Sequence, residues 1–203
     1  MKVRTESTEF LAERVIFAAP TFLAPYVLEG APQTDCVYSP WLTANLTLDR
    51  LPREKGSEAC WDNVIMDSPA LGYVVATHMS LRTRIEKTVW TYYWALADGE
   101  PAVVRQRLLT QNWRVLKDAI LDDLSRAHPD IRECVSRVDI MRLGHAMARP
   151  VPGFLTSAVR KNLASGKAPV YFANSDLSGF SIFEEAQYRG VAAADRVLRD
   201  LGR

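Results

Sequence analysis

Cysteine is scarce in this 203-residue chain: Cys36, Cys60 and Cys134 are three in number and far apart. An odd count without C-x-x-C or metal-ligand spacing excludes a disulfide framework and a zinc ribbon, and it fits a reducing compartment. The expected localisation is the cytoplasm. Charge of one sign is also missing. The 25 basic and 24 acidic residues leave a net charge of +1, which gives no electrostatic argument for nucleic acid or an anionic membrane surface as partner. Long apolar runs are absent. The stretch from Val15 to Leu28 is broken by Pro20 and Pro25, so no membrane span is expected. Histidine is rare, and none of the patterns G-x-S-x-G, H-E-x-x-H or G-x-x-x-x-G-K-[ST] occurs. Nucleophilic-elbow, zinc-protease and P-loop chemistries therefore lack their carriers. The ten glycines never fall close enough to form even G-x-G.

What the chain does have is enough apolar residue, 48%, to build a sizeable core. Arg14–Ala19 reads as a buried strand ended by Pro20, and a loop rich in Pro, Gly and small polar residues runs over 30–40. Leu42–Leu48 alternates, with Leu46 and Leu48 on one face. Val64-Ile65-Met66, Leu71–Thr77 and Thr88–Leu96 carry the β-branched and aromatic residues of strands. Helices follow. Pro101 sits where a first helical residue should. Val104, Leu108, Trp113, Leu116, Ile120 and Leu124 recur at helical spacing, with a break around Thr110–Asn112 and an end at His128-Pro129. Cys134–Met147 alternates as a strand region, and Phe154–Ser165 forms a short helix closing at Gly166. At the end, Val170–Ala173 is a strand and Asn174–Phe180 a turn. Ser181 and Glu184 have the spacing of a capping box. The helix behind them presents Phe183, Ala186, Gly190, Ala194, Val197 and Leu201 on one face. The order predicts an α+β (mixed α/β) fold, a mixed sheet with flanking helices that ends in strand-turn-helix.

Three segments together carry a resemblance. They are Val15-Ile16-Phe17-Ala18-Ala19-Pro20, the proline-containing Arg149–Phe154, and Tyr171–Asp176 followed by Ser178-Gly179 and Glu184–Gly190. These are similar to a strand, an approach segment and the carboxy-terminal flavin motif of amine-oxidase-type flavoproteins. That group includes amine oxidases, protoporphyrinogen oxidase and phytoene-desaturase-like enzymes. The chain departs from the motif at Asn174-Ser175, where the family usually has glycine before the acid, and in the turn Leu177–Ile182.

The resemblance implies a division of the chain. Residues 1–29 would be a flavin-domain strand and its connection, 30–165 a substrate-domain-like region, and 166–203 a flavin-domain strand-turn-helix. It implies Asp176 near the ribityl or pyrophosphate part of FAD, with Gly179, Phe180, Ile182 and Phe183 lining the flavin. FAD would be non-covalent and held only together with the flavin-binding half that carries G-x-G-x-x-G. The expectation is therefore a carboxy-terminal part of an FAD-dependent oxidoreductase, inactive alone, whether a piece of a longer polypeptide, a truncated gene or a split subunit. Its partners would be a small-molecule substrate and that missing half. The alternative is a non-catalytic α+β ligand-binding or self-associating module, with homo-oligomers expected from exposed apolar surface.

Other side chains keep two readings each. Trp90, Tyr92 and Trp94 on one strand face, with Tyr93 on the other, are either a pocket wall or sheet core. His78 and His145 in strand-like context are general bases or structural histidines, and His128 suits a helix end. Arg82 and Arg84 either hold an acidic substrate or lie in solvent at a strand end. Glu184 and Glu185 are a helix-start charge pair rather than a catalytic pair, and Gly190 is explained by close packing.

Overall fold

A computed structural model describes residues 1–203 apart from Pro32, Ser57, Ala59 and Thr83. In chain order its elements are β1 (Lys2–Arg4), β2 (Glu9–Leu11), β3 (Val15–Phe17), α1 (Ala24–Val27), β4 (Val37–Leu48), β5 (Asp62–Asn63), β6 (Gly72–Val75) and β7 (Thr88–Ala95). Then come α2 (Pro101–Thr110), α3 (Trp113–Ser125), α4 (Ile131–Cys134), β8 (Val135–Arg149), α5 (Ala158–Ser165), β9 (Val170–Phe172) and α6 (Phe183–Asp200). The class is α+β, as the element order predicts. Two compact units result, Met1–Tyr38 with Met147–Arg203, and Ser39–Ala146.

The Ser39–Ala146 unit is built on a sheet in the order β5-β6-β7-β4-β8. β7 pairs antiparallel with β4, bringing Leu46 opposite Trp90 and Ala44 opposite Tyr92. The period of two then places Leu42, Ala44, Leu46 and Leu48 on one face. That face packs with Leu108, Leu116, Ile120 and Leu124 of α2 and α3 in one core. Full burial of each such aliphatic side chain stabilises by roughly 1.5–3 kcal/mol. The helices start as their sequence dictates. Pro101 is the first residue of α2, and the Glu100 side chain accepts hydrogen bonds from the Ala102 and Val103 N–H groups. Extended Gln111 breaks the helix, and Asn112 caps α3 by accepting from Arg114 N–H.

The expected strand Val64-Ile65-Met66 does not form. Pairing stops at Asn63, and a turn closes from Ser68 N–H to the Ile65 carbonyl, with Asp67 at φ 56°. Val64 and Met66 are 77% and 81% exposed. β6 likewise ends at Val75, and His78 lies on a 3-10 turn, Ala76–Met79, rather than on a strand.

In the other unit β3 and β9 pair in parallel, Ile16 opposite Tyr171, and β1–β2 is a separate antiparallel hairpin. Tyr171, Ala173 and Ala193 form a small core, with Val197 packed against it. α6 departs from expectation in two ways. The capping box is absent: Ile182 occupies the cap position without a side-chain hydrogen bond, because the Ser181 hydroxyl accepts from Ala148 N–H at 3.1 Å instead. The buried stripe also begins a turn later than the spacing suggests. Ala193 lies at its centre, while Phe183 and Ala186 are exposed. Arg189 is drawn inward to the Ser178 hydroxyl (2.8 Å) and the Leu177 carbonyl (3.3 Å).

Candidate functional site

The turn from β9 into α6 gathers all five residues that the flavin motif singled out. Asn174 starts it, its side chain accepting from Asp176 N–H at 2.9 Å. A 3-10 turn over Ser175–Leu177 follows. Asp176 points inward. Its Oδ2 accepts from Thr21 N–H (2.8 Å), the Thr21 hydroxyl (3.0 Å) and the Tyr38 hydroxyl (2.6 Å). Burial, and then the hydrogen bond to Asp176, push the Tyr38 phenol far up, so it stays protonated and donates. Burial and the nearby Asp176 charge push the Cys36 thiol up to about 11, which leaves it a thiol rather than a nucleophilic thiolate.

Gly179 adopts φ +77°, with Phe154 and Pro150 filling the space that a Cβ would need. The chain then turns outward. Phe180, Ile182 and Phe183 are 64%, 52% and 75% exposed. They surround the start of an 18-residue helix that no side chain caps. Such a start presents free N–H groups and a partial positive charge. Glu184 and Glu185 in its first turn complement that charge. So the structure splits the five: Asp176 and Gly179 hold the turn, and Phe180, Ile182 and Phe183 face outward together.

Gly190 lies on α6, where an added Cβ would meet nothing within 4 Å, so close packing does not explain it. The other sequence candidates lie in the Ser39–Ala146 unit. Trp90 and Tyr92 are core side chains, and Trp94 packs against the same core. Tyr93, on the opposite face, donates to Asp62 at 2.5 Å. Arg84 pairs with Glu86 in solvent, and Arg82 is exposed. His145 lies exposed on β8. What burial it has, and then the charge of Arg105, lower its pKa. Among the described residues no group of three or more His, Cys, Asp or Glu is placed to hold a metal ion.

His128 is the residue whose place the sequence did not reveal. It is 3% exposed, with Nε2 at 2.6 Å from the Tyr73 hydroxyl and the Trp90 ring centroid at 4.7 Å. No periodicity marks a histidine after a helix end as a core residue. Burial holds its pKa below the ordinary value, against the opposing influence of the Arg53 backbone, Glu54 and Asp130. The folded protein thus keeps it neutral, while the unfolded chain binds a proton below a pH of about 6.5. Stability is complete above that pH and is lost as pH falls from there toward the folded value, at up to about 1.4 kcal/mol per pH unit. Urea midpoints measured from pH 7 to 5 should fall, and His128→Gln should flatten the decline, leaving the share from His145. A variant that declines as steeply as the parent would overturn this assignment.

Comparison with known proteins yields fold rather than family. No family model matches the chain, and no curated protein matches it. Among solved structures, cyclohexylamine oxidase from Brevibacterium oxydans IH-35A is similar over 100% of this chain and 46% of its own, with a TM-score of 0.68 at 13% identity. A candidate protoporphyrinogen oxidase from Exiguobacterium sp. 255-15 is similar over 96% of this chain and 44% of its own, with a TM-score of 0.60 at 13% identity. The chain therefore has the fold of part of these oxidases and spans less than half the length of each. No helix among the described residues is long and apolar enough to cross a membrane.

Proposed function

We propose that this chain is the carboxy-terminal part of an FAD-dependent oxidoreductase of the amine-oxidase type, active only together with a segment carrying the dinucleotide-binding motif. The observation that carries the reading is the likeness of the whole chain to 46% of cyclohexylamine oxidase, joined to the flavin-motif resemblance of Tyr171–Gly190. In this reading residues 1–29 and 166–203 belong to a flavin domain and residues 30–165 to a substrate domain. The substrate is a small molecule, an amine or an unsaturated hydrocarbon-like compound, that gives up a hydride.

The residues of the β9–α6 turn suit a flavin. Exposed Phe180, Ile182 and Phe183 offer apolar contact to a planar ring, and the uncapped α6 start offers N–H donors. When bound, the flavin supplies the hydride acceptor. The helix start would favour the negative charge that builds on the reduced ring. In this proposal Asp176 and Gly179 set the turn beside the cofactor, and Phe180, Ile182 and Phe183 line it. The pyrophosphate and adenosine contacts lie in the other segment, so affinity of this chain alone is expected to be weak or absent. No side chain here suggests a covalent link, and FAD is taken as non-covalent.

The test is a flavin titration of the purified chain, alone and co-expressed with a segment carrying G-x-G-x-x-G, following flavin fluorescence and the visible absorption band. The expected result is a stoichiometric, chelator-insensitive flavin band only in the co-expressed sample. No binding in either sample would overturn the assignment. It would leave the second reading, a self-associating module, which the exposed Phe183, Val191 and Leu198 of α6 favour.

A further inference from the structure

Within the Ser39–Ala146 unit, a cleft of about 270 Å3 opens between the sheet and the elbow of α2 and α3. Its floor is aliphatic. Leu42, Leu108 and Leu116 are at most 4% exposed, and Trp94 and Leu96 complete the apolar wall. The elbow follows from the sequence: Gln111 is extended, and Asn112 restarts the helix as a cap, so the two helices do not close over the strand ends as one rod would.

The polar part of the lining is small and of one kind. Arg107 and Gln111 are its polar side chains, and no aspartate or glutamate lines it. Among the described residues the Arg107 guanidinium makes no hydrogen bond or ion pair. An apolar slot with a single unpaired guanidinium at its polar edge discriminates by charge. A carboxylate is attracted, a neutral end is tolerated, and an ammonium is repelled. The cleft exceeds the roughly 150 Å3 that suffices for benzene and falls near the lower end of small-molecule sites.

We propose that this cleft is a binding site for a small monoanionic amphiphile, an aryl- or alkyl-carboxylate of about eight to ten carbons. The apolar body lies on Leu42, Leu108 and Leu116, and the carboxylate meets Arg107. The site does not depend on the flavin reading. Its charge preference is the opposite of an amine substrate's, so it is not the reacting site of an amine oxidation.

The experiment is calorimetry and ligand-observed NMR on the purified chain with 4-phenylbutyrate, 4-phenylbutanol and 4-phenylbutylamine. The indole N–H signals of the five tryptophans would report whether Trp94 is involved. A dissociation constant of about 1 mM or tighter is expected for the carboxylate, with the alcohol about five- to tenfold weaker and the amine weakest. Arg107→Met should erase the preference of carboxylate over alcohol while the alcohol still binds. Ala119→Trp, at an exposed position of the lining, should block all three ligands without disturbing the core. Unaltered circular dichroism of both variants is the folding control. Absence of saturable carboxylate binding, equal or better binding of the amine, or binding unchanged by Ala119→Trp would each overturn the proposal.

Discussion

Replacing Asp176 by alanine should destabilise its unit by about 3–5 kcal/mol, because three buried donors lose one acceptor at once. Thr21 is 2% and Tyr38 4% exposed, so water does not replace the carboxylate at either. The Thr21 N–H, the Thr21 hydroxyl and the Tyr38 hydroxyl all converge on Oδ2. These partners lie 155 and 138 residues away in the chain, so the carboxylate ties together three segments distant in sequence: the connection after β3, the start of β4 and the turn after β9. An orphaned buried donor costs about 1–3 kcal/mol, and bonds to a charged group are the stronger kind. The three are not independent: the Thr21 and Tyr38 hydroxyls lie 2.8 Å apart and one can donate to the other once the carboxylate is gone, which keeps the sum below three times that value. In thermal unfolding followed by tyrosine near-UV dichroism, the midpoint of this unit should fall by roughly 12 °C or more. Asp176→Asn keeps an acceptor oxygen and should fall by less than half as much. If alanine costs under about 1 kcal/mol, the network is not what closes the turn.

That network also marks the limit of what the sequence could disclose. Alternation along Leu42–Leu48 and Thr88–Leu96 gave the strands, because one face of an antiparallel sheet is buried and the period of two is written into residue type. Pro101 and the break at Gln111–Asn112 gave the helix starts for equally local reasons, a missing N–H and a side-chain acceptor. Ser181 misled because a hydroxyl takes whichever N–H is nearest in space. Here that is Ala148, 33 residues away, and no spacing rule encodes it. The α6 face was misread at its first turn for a related reason. Phe183 and Ala186 fit the stripe by period, yet both are exposed, and the small core of this unit meets the helix further on, at Ala193. Of the site, the turn was legible through its motif. The inward carboxylate of Asp176 and the buried Tyr73–His128 pair were not, since polar side chains carry no periodic signature and their partners are fixed only by the tertiary fold. The aromatic run of β7 was legible as a strand, while its orientation, Trp90 and Tyr92 inward and Tyr93 outward, needed the helices to settle.

Gly179→Val tests whether this glycine is kept for its own backbone or for a ligand's approach. The expected outcome is a loss of about 3–5 kcal/mol from the Met1–Tyr38 and Met147–Arg203 unit with no ligand present. Two contributions add. At φ +77° a β-branched residue lies in the left-handed region, which disfavours any L side chain by about 1–2 kcal/mol and a branched one by more. A Cβ there would stand 2.7 Å from Phe154 Cε1 and 2.9 Å from Pro150 Cγ, and overpacking of this kind costs about 1–3 kcal/mol. Neither neighbour yields readily. Pro150 is a ring, and the Phe154 ring lies under the Arg160 guanidinium at 5.3 Å. Arg160 is itself held by the carbonyls of Phe154 (3.1 Å) and Leu177 (2.8 Å). The two contributions separate in a double-mutant cycle. In a Phe154→Ala background the Phe154 share of the clash should vanish, so that Gly179→Val costs less there and keeps only the 2.9 Å approach to Pro150 Cγ and the backbone strain of about 1–2 kcal/mol. Urea unfolding of the four proteins gives the coupling directly. A Gly179→Val variant within about 0.5 kcal/mol of the parent would mean that the turn accommodates a side chain, and would return the glycine to a role in letting a ligand come close.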